Sequence, residues 1–190
     1  MTGMTVGFAL CGSFCTIDKA LMEMENFSKS GANVIPIMSP IVLTTNTRFG
    51  DAETRLKRVE QITNNKIMTT VKDAEPIGPK NLLDLLVIAP CTGNTLSKIA
   101  AGITDTSVTM AAKAHLRNNK PLLLAIATND ALSGSAMSIG KLLNTKNIFF
   151  VPFGQDDPIK KSTSMICDFS KTLPAAKSAL EGRQIQPLLV

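Results

Sequence analysis

Short apolar runs recur along the chain, and most are followed by a stretch whose apolar positions repeat at helical spacing. Val6 to Leu10, Asn33 to Met38, Leu85 to Ala89, Leu122 to Ala127 and Ile148 to Val151 are too short for free-standing helices. Their near-continuous hydrophobicity predicts strands buried on both faces. Helical spacing predicts helices over Thr16 to Lys29, Asp51 to Thr63, Leu96 to Ala101, Ser107 to Asn118, Ser135 to Leu143 and Asp168 to Leu180. In the second of these, Leu56, Val59 and Ile62 mark the inward stripe, while Arg55, Lys57, Arg58 and Glu60 mark the face toward water.

The breakers agree with this division. Ser30-Gly31 closes the first helix, with Gly31 suited to the left-handed cap position. Ser39-Pro40 ends the second strand, Pro90 the third, and Pro174 marks an irregular start to the last helix. Thr44 to Phe49 reads as a loop, Gln155 to Ser162 as a solvated surface loop, and Ile67 to Pro79 fits no single period.

Strands alternating with helices imply right-handed parallel βαβ units in a sheet covered on both faces. The expected fold is α/β, a Rossmann-like or flavodoxin-like three-layer sandwich with a mainly parallel sheet. With no linker or internal repeat, residues 1–190 are expected to form a single domain.

Composition narrows the function. The formal net charge is +5, but the lysines are scattered and there is no Trp or Tyr on which bases would stack, so nucleic acid is not an expected partner. No uninterrupted apolar run reaches membrane-spanning length, and the apolar segment Thr5 to Cys11 lacks a basic flank and a cleavage pattern, so neither membrane insertion nor secretion is expected. Cys11, Cys15, Cys91 and Cys167 lack the density of a disulfide framework and read as free thiols in a cytosolic setting. The only histidine, His115, has no acidic or histidine partner at ligand spacing, so no metal centre is expected and the residue reads as structural.

In an open α/β sheet, ligands bind at the carboxyl ends of the strands, where Cys11 to Cys15, Ser39 to Thr47, Pro90 to Thr95 and Thr128 to Ser135 should meet. Neither G-x-G-x-x-G nor a Walker A sequence is present. These loops bring Ser13, Ser39, Thr92, Asn94, Thr95, Thr128 and Asn129 together with almost no ionisable group. Such a set is poor material for hydrolysis and suits a cofactor that carries its own reactivity. Taken singly, each of these residues is explained as well by capping a helix or turn.

The segment Ala89-Pro90-Cys91-Thr92-Gly93-Asn94-Thr95, with the following helix and Gly102-Ile103-Thr104-Asp105, resembles the Pro-Ala-Ser-Ala-Asn-Thr motif and Gly-Ile-Ala-Asp sequence of a flavin-binding family. That family includes peptidyl-cysteine decarboxylases, phosphopantothenoylcysteine decarboxylase and flavin prenyltransferases. Gly12-Ser13 also matches it, and Ile126-Ala127-Thr128-Asn129 stands where its decarboxylases carry Pro-Ala-Met-Asn. Longer strings, among them Thr47-Arg48-Phe49-Gly50 and Val151 to Pro158, resemble the branch formed by the B subunits of dipicolinate synthase from spore-forming bacteria.

The resemblance implies FMN as cofactor, held by Gly12, Ser13, Ser39, Thr92, Gly93, Asn94, Thr95 and Thr128. It implies a small dicarboxylate substrate, for which Asn94, Asn129, Lys98 and Arg48 are the candidate contacts; no residue is assigned as catalytic. The implied reaction is oxidation of a dihydrodipicolinate-level intermediate to dipicolinate during sporulation, in the cytoplasm of the mother cell. The implied partners are an A subunit carrying NAD(P) and further copies of this chain, as a trimer or a multiple of trimers. No histidine lies between Arg48 and Pro79, where family decarboxylases use one, and Thr128 replaces the motif's methionine. Both departures count against cysteine decarboxylation. A non-catalytic flavin-binding scaffold subunit, or a decarboxylase of another small carboxylate, are the alternatives.

Overall fold

In the structure, a computed structural model describing residues 1–190, the strands β1 (Thr5–Leu10), β2 (Asn33–Met38), β3 (Leu85–Cys91), β4 (Leu122–Thr128) and β5 (Ile148–Phe150) are parallel and lie in the order β2-β1-β3-β4-β5. The chain reverses its winding direction between β1 and β3, the arrangement of a flavodoxin-like sheet. Every residue of β3 is buried, and only Thr128 of β4 is not, as expected of central strands covered by helices on both faces.

One helical layer contains α1 (Ile17–Lys29), α3 (Ala52–Thr63) and α8 (Thr172–Leu180), in mutual contact around α1. The other contains α4 (Val71–Ala74), α5 (Gly93–Ala101), α6 (Ser107–Leu116) and α7 (Ala136–Leu143). A continuous cluster of buried apolar side chains runs from Val6 of β1 to Ala179 of α8. Gly31 has φ +85° just beyond α1, the left-handed conformation that closes the helix. The ambiguous segment near Ile67 forms a bridge from Met68 to Ile37, then α4, whose Thr70 and Asp73 make a reciprocal capping box.

Three local expectations need correction, and one short helix is added to them. Pro90 does not end β3: the strand continues to Cys91 through a register shift after Ile88, an irregularity at which proline's missing N–H is tolerated. The helix after it begins at Gly93 rather than Leu96, because Thr92 is the residue that caps it. A short helix, α2 (Pro40–Thr44), directly follows Ser39, with Pro40 at a first-turn position that needs no donor. Arg55 faces inward, 6% exposed, because its guanidinium donates to the carbonyls of Val42 at 2.8 Å and Gly50 at 3.3 Å.

A further pair of strands, β6 (Phe153–Gly154) and β7 (Met165–Cys167), was not expected. They pair antiparallel to each other, and β7 pairs antiparallel with the end of β4 through Ala127–Ile166 and Thr128–Met165. Two and three residues are too few to show an alternating pattern. The polar Gln155 to Ser162 segment is thus most of the loop of a hairpin held against the carboxyl end of β4.

Candidate functional site

The loops after β1, β2, β3 and β4 meet at the carboxyl edge of the sheet around the β1/β3 reversal. They enclose two adjoining crevices. The narrower, about 350 Å³, lies over α2 and includes Ser39, Thr95, Lys98 and Thr106. The wider, about 640 Å³, includes Ser13, Arg48, Thr128, Asn129 and Lys161. Gly12, Thr92 and Asn94 line both, so the β1 loop and the start of α5 form a shared wall. Each volume is in the range of small-molecule sites.

The wall is built by helix capping. The Thr92 hydroxyl accepts from the Thr95 amide at 3.3 Å and donates to the Thr95 hydroxyl at 3.2 Å, which in turn donates to Cys11 Sγ at 3.2 Å. This chain ties the start of α5 to the end of β1. The amides of Gly93 and Asn94 precede the first intrahelical bond, and the positive end of the helix dipole lies at their position, which favours an anionic group. Gly12 keeps the opposite side open: a Cβ there would come within 2.9 Å of Ile41 Cγ2.

Gly93 has a separate steric reason. A Cβ on it would stand 2.5 Å from Ser135 Oγ, 2.6 Å from Asp130 Oδ1 and 2.7 Å from Thr128 Oγ1. Those three groups are joined: the Thr128 hydroxyl donates to Asp130 Oδ1, and the Ser135 hydroxyl donates to Asp130 Oδ2 at 3.0 Å. With its proton directed at Asp130, the Thr128 hydroxyl presents lone pairs to a ligand in the wide crevice. Asp130 and its role escaped the sequence reading, which had no means of placing the loop after β4 against Gly93.

In the narrow crevice the Ser39 hydroxyl is buried and has no hydrogen-bond partner. A buried orphan hydroxyl at a cavity wall marks a place for a ligand acceptor or donor. Lys98, a candidate substrate contact, lines this narrow crevice and pairs with Asp105 at 2.7 Å. Ser13 lines the wide crevice, and its hydroxyl accepts from Thr16 Oγ1 at 3.0 Å.

Two cations line the wide crevice, and no carboxylate does. Arg48 sits in a tight turn closed by reciprocal backbone bonds between Thr47 and Gly50, at 3.0 and 3.1 Å. The buried Arg55 holds that turn through the Gly50 carbonyl and lies 5.2 Å over the Phe14 ring, another lining residue. Arg48 has no carboxylate partner; its guanidinium lies 4.9 Å from the Phe49 ring centre. Lys161 comes from the β6–β7 hairpin loop, and the sequence reading passed over it because the strands that deliver it were not legible. The hairpin is anchored to the loop after β4: Thr163 Oγ1 donates to the Asn129 carbonyl at 2.7 Å, and the Leu132 amide donates to the Thr163 carbonyl at 3.0 Å.

The remaining candidates fall outside acid–base or metal chemistry. His115 is fully buried on α6, its Nε2 bonded to the Pro121 carbonyl at 2.9 Å, and burial lowers its pKa to about 4. Burial raises the Cys11 thiol to about 11 and Cys91 well above its ordinary value, while Cys15 is exposed at the wide crevice. No three His, Cys, Asp or Glu side chains stand close enough to hold a metal ion. No helix is long and apolar enough to cross a membrane. Across its two crevices the site therefore offers hydroxyls, amides, two asparagines and three cations, a set that can hold and orient an anionic ring ligand.

Comparison with known proteins bears on this arrangement. The profile of the family described as Flavoprotein matches residues 1–177. The chain is 45% identical over 190 residues to the B subunit of dipicolinate synthase from Bacillus subtilis, covering 100% of this chain and 95% of that protein. The crystal structure of the B subunit of dipicolinate synthase from Bacillus halodurans C superposes with a TM-score of 0.92 at 44% identity, covering 100% of this chain and 97% of that one. The FMN-dependent cysteine decarboxylase TvaF from thioviridamide biosynthesis shares the fold, with a TM-score of 0.65 at 18% identity over 94% of this chain and 99% of that one.

Proposed function

The chain belongs to the flavoprotein family, and from that membership we propose that it is the B subunit of a two-subunit dipicolinate synthase that binds FMN across the two joined crevices. In this reading the 190 residues act as one flavoprotein-like domain, assembled into a homo-oligomer of trimeric order and paired with an NAD(P)-carrying A subunit in the cytoplasm of a sporulating cell. The observation that carries the reading is the full-length likeness to the Bacillus subtilis dipicolinate synthase chain, 45% identical over 190 residues.

The residues fit the cofactor. The orphaned Ser39 hydroxyl, with the Thr95 hydroxyl and Lys98 in the same narrow crevice, suits a phosphate, and the amides of Gly93 and Asn94 add the positive end of α5. The wide crevice takes the ring, with Thr128 as an acceptor for a ring N–H and Ser13 and Thr92 at its sides. Bound there, FMN would supply a two-electron oxidant for aromatising a dihydropyridine dicarboxylate, which no side chain of this site supplies. The chain's own part is to orient: Asn94, on the shared wall, reaches the cofactor and the substrate alike, while Asn129 and Arg48 meet the substrate.

One observation favours a second reading, a flavin-binding scaffold without a chemical role: no lining residue of the wide crevice is a histidine or a carboxylate fit for moving a proton. Asn94→Ala separates the two when assayed with the A subunit. Retained complex with lost dipicolinate synthesis supports the chemical role, and normal synthesis removes it.

A further inference from the structure

Resting on the reading of this crevice as a substrate site, we propose that Lys161 and Arg48 form a two-point anion clamp that selects a ligand carrying two carboxylates over one carrying a single carboxylate. The wide crevice is lined by these two cations and by no anion, although the chain has 15 Asp and Glu residues to 20 Lys and Arg. The two cations come from loops far apart in sequence, each fixed by its own contacts. The Arg48 turn is pinned by buried Arg55. The Lys161 loop is closed by its amide donating to the Asp157 carbonyl at 2.8 Å and by the Ser164 amide donating to the Lys161 carbonyl at 2.9 Å.

The chemistry of the two groups differs in a useful way. Arg48 presents a planar fork without a carboxylate partner, suited to bidentate recognition of one carboxylate. Lys161 is 3.1 Å from Asp156, with its side chain 55% exposed, a pairing that is weak in water and leaves ammonium protons for a ligand. Asp130, behind the lining residues Gly93 and Thr128, is held by the Thr128 and Ser135 hydroxyls and does not itself line the crevice. Lys98 does not take the second position, because it lines the narrow crevice and not the wide one. The hairpin loop that reads as plain surface in the sequence is thus the element that sets specificity.

A phosphate offers the same double charge as two carboxylates, so the test separates them. Calorimetric titration of the FMN-loaded protein compares pyridine-2,6-dicarboxylate with pyridine-2-carboxylate, in the unaltered chain, Lys161→Met, Arg48→Met and Lys160→Met. Lys160 adjoins Lys161 and does not line the crevice, so its loss reports net charge alone. The clamp predicts a dicarboxylate preference of about tenfold or more. It also predicts that Lys161→Met and Arg48→Met each erase most of this preference while Lys160→Met leaves it intact. Equal effects of Lys160→Met and Lys161→Met, or absence of any dicarboxylate preference, overturn it. So does a Lys161→Met chain that loses its preference for FMN over riboflavin, since the cation then reads the cofactor's phosphate. If the chain retains no FMN, the same titrations on the flavin-free protein still decide the clamp, and the cofactor reading alone falls.

Discussion

Gly93 and Asp130 occupy one space: a Cβ on the glycine would lie 2.6 Å from the carboxylate oxygen of the aspartate. The pairing explains why the second alanine of the motif this segment resembles is a glycine here. Asp130 gathers the hydroxyls of Thr128 and Ser135 over the start of α5, and only a residue without a side chain leaves room for them. Gly93→Ala is expected to cost about 1–3 kcal/mol of stability, the usual range for overpacking a close-fitted site. In an Asp130→Ala background the same change should cost about 1 kcal/mol less, with Ser135 still in the way. A urea-denaturation cycle over the four proteins measures this coupling, and equal costs in both backgrounds would remove Asp130 as the reason for the glycine.

Ser39 separates stability from binding. Its hydroxyl is buried without a partner, a burden on the ligand-free fold of about 1–3 kcal/mol. Ser39→Ala should therefore leave the flavin-free protein as stable or more stable, while weakening FMN binding by about tenfold, the equivalent of one hydrogen bond to a charged group. Melting with and without FMN shows both effects. A flavin-free protein that melts well below the unaltered chain would mean that the hydroxyl has a structural partner.

His115 gives the fold a pH dependence of known sign. Its pKa is about 4 in the folded chain against an ordinary 6.5, so the unfolded chain binds the extra proton first as pH falls. The stability it contributes is fully present above about pH 6.5 and is lost between there and about pH 4, by up to about 3 kcal/mol. His115→Gln should lower stability at neutral pH and flatten its decline over that window. A decline of unchanged steepness in the variant would assign the pH dependence to the carboxylates.

The parallel strands and the helices between them were legible because buried strands and amphipathic helices leave opposite periodicities, and Gly31 marked its cap by chemistry alone. The convergence of Gly12, Ser39, Thr92, Asn94 and Thr128 followed from the rule that open sheets bind at their carboxyl edge. What escaped was long-range. Arg55 reads as a surface residue until Val42 and Gly50 are seen to turn their carbonyls toward it. Lys161 reads as a surface lysine until β6 and β7, too short to show a period, fold its loop against Asn129. The pairing of Lys98 with Asp105, seven positions on and at 2.7 Å, was likewise not legible.

Flavin occupancy tests the central claim most directly. The purified chain would be mixed with excess FMN, passed through gel filtration, and its visible spectrum recorded against its protein concentration. An FMN site across the two crevices predicts retention near one flavin per chain with a shifted ring band, and reduced retention in Ser39→Ala. Passage of the protein free of flavin at every FMN concentration would contradict it.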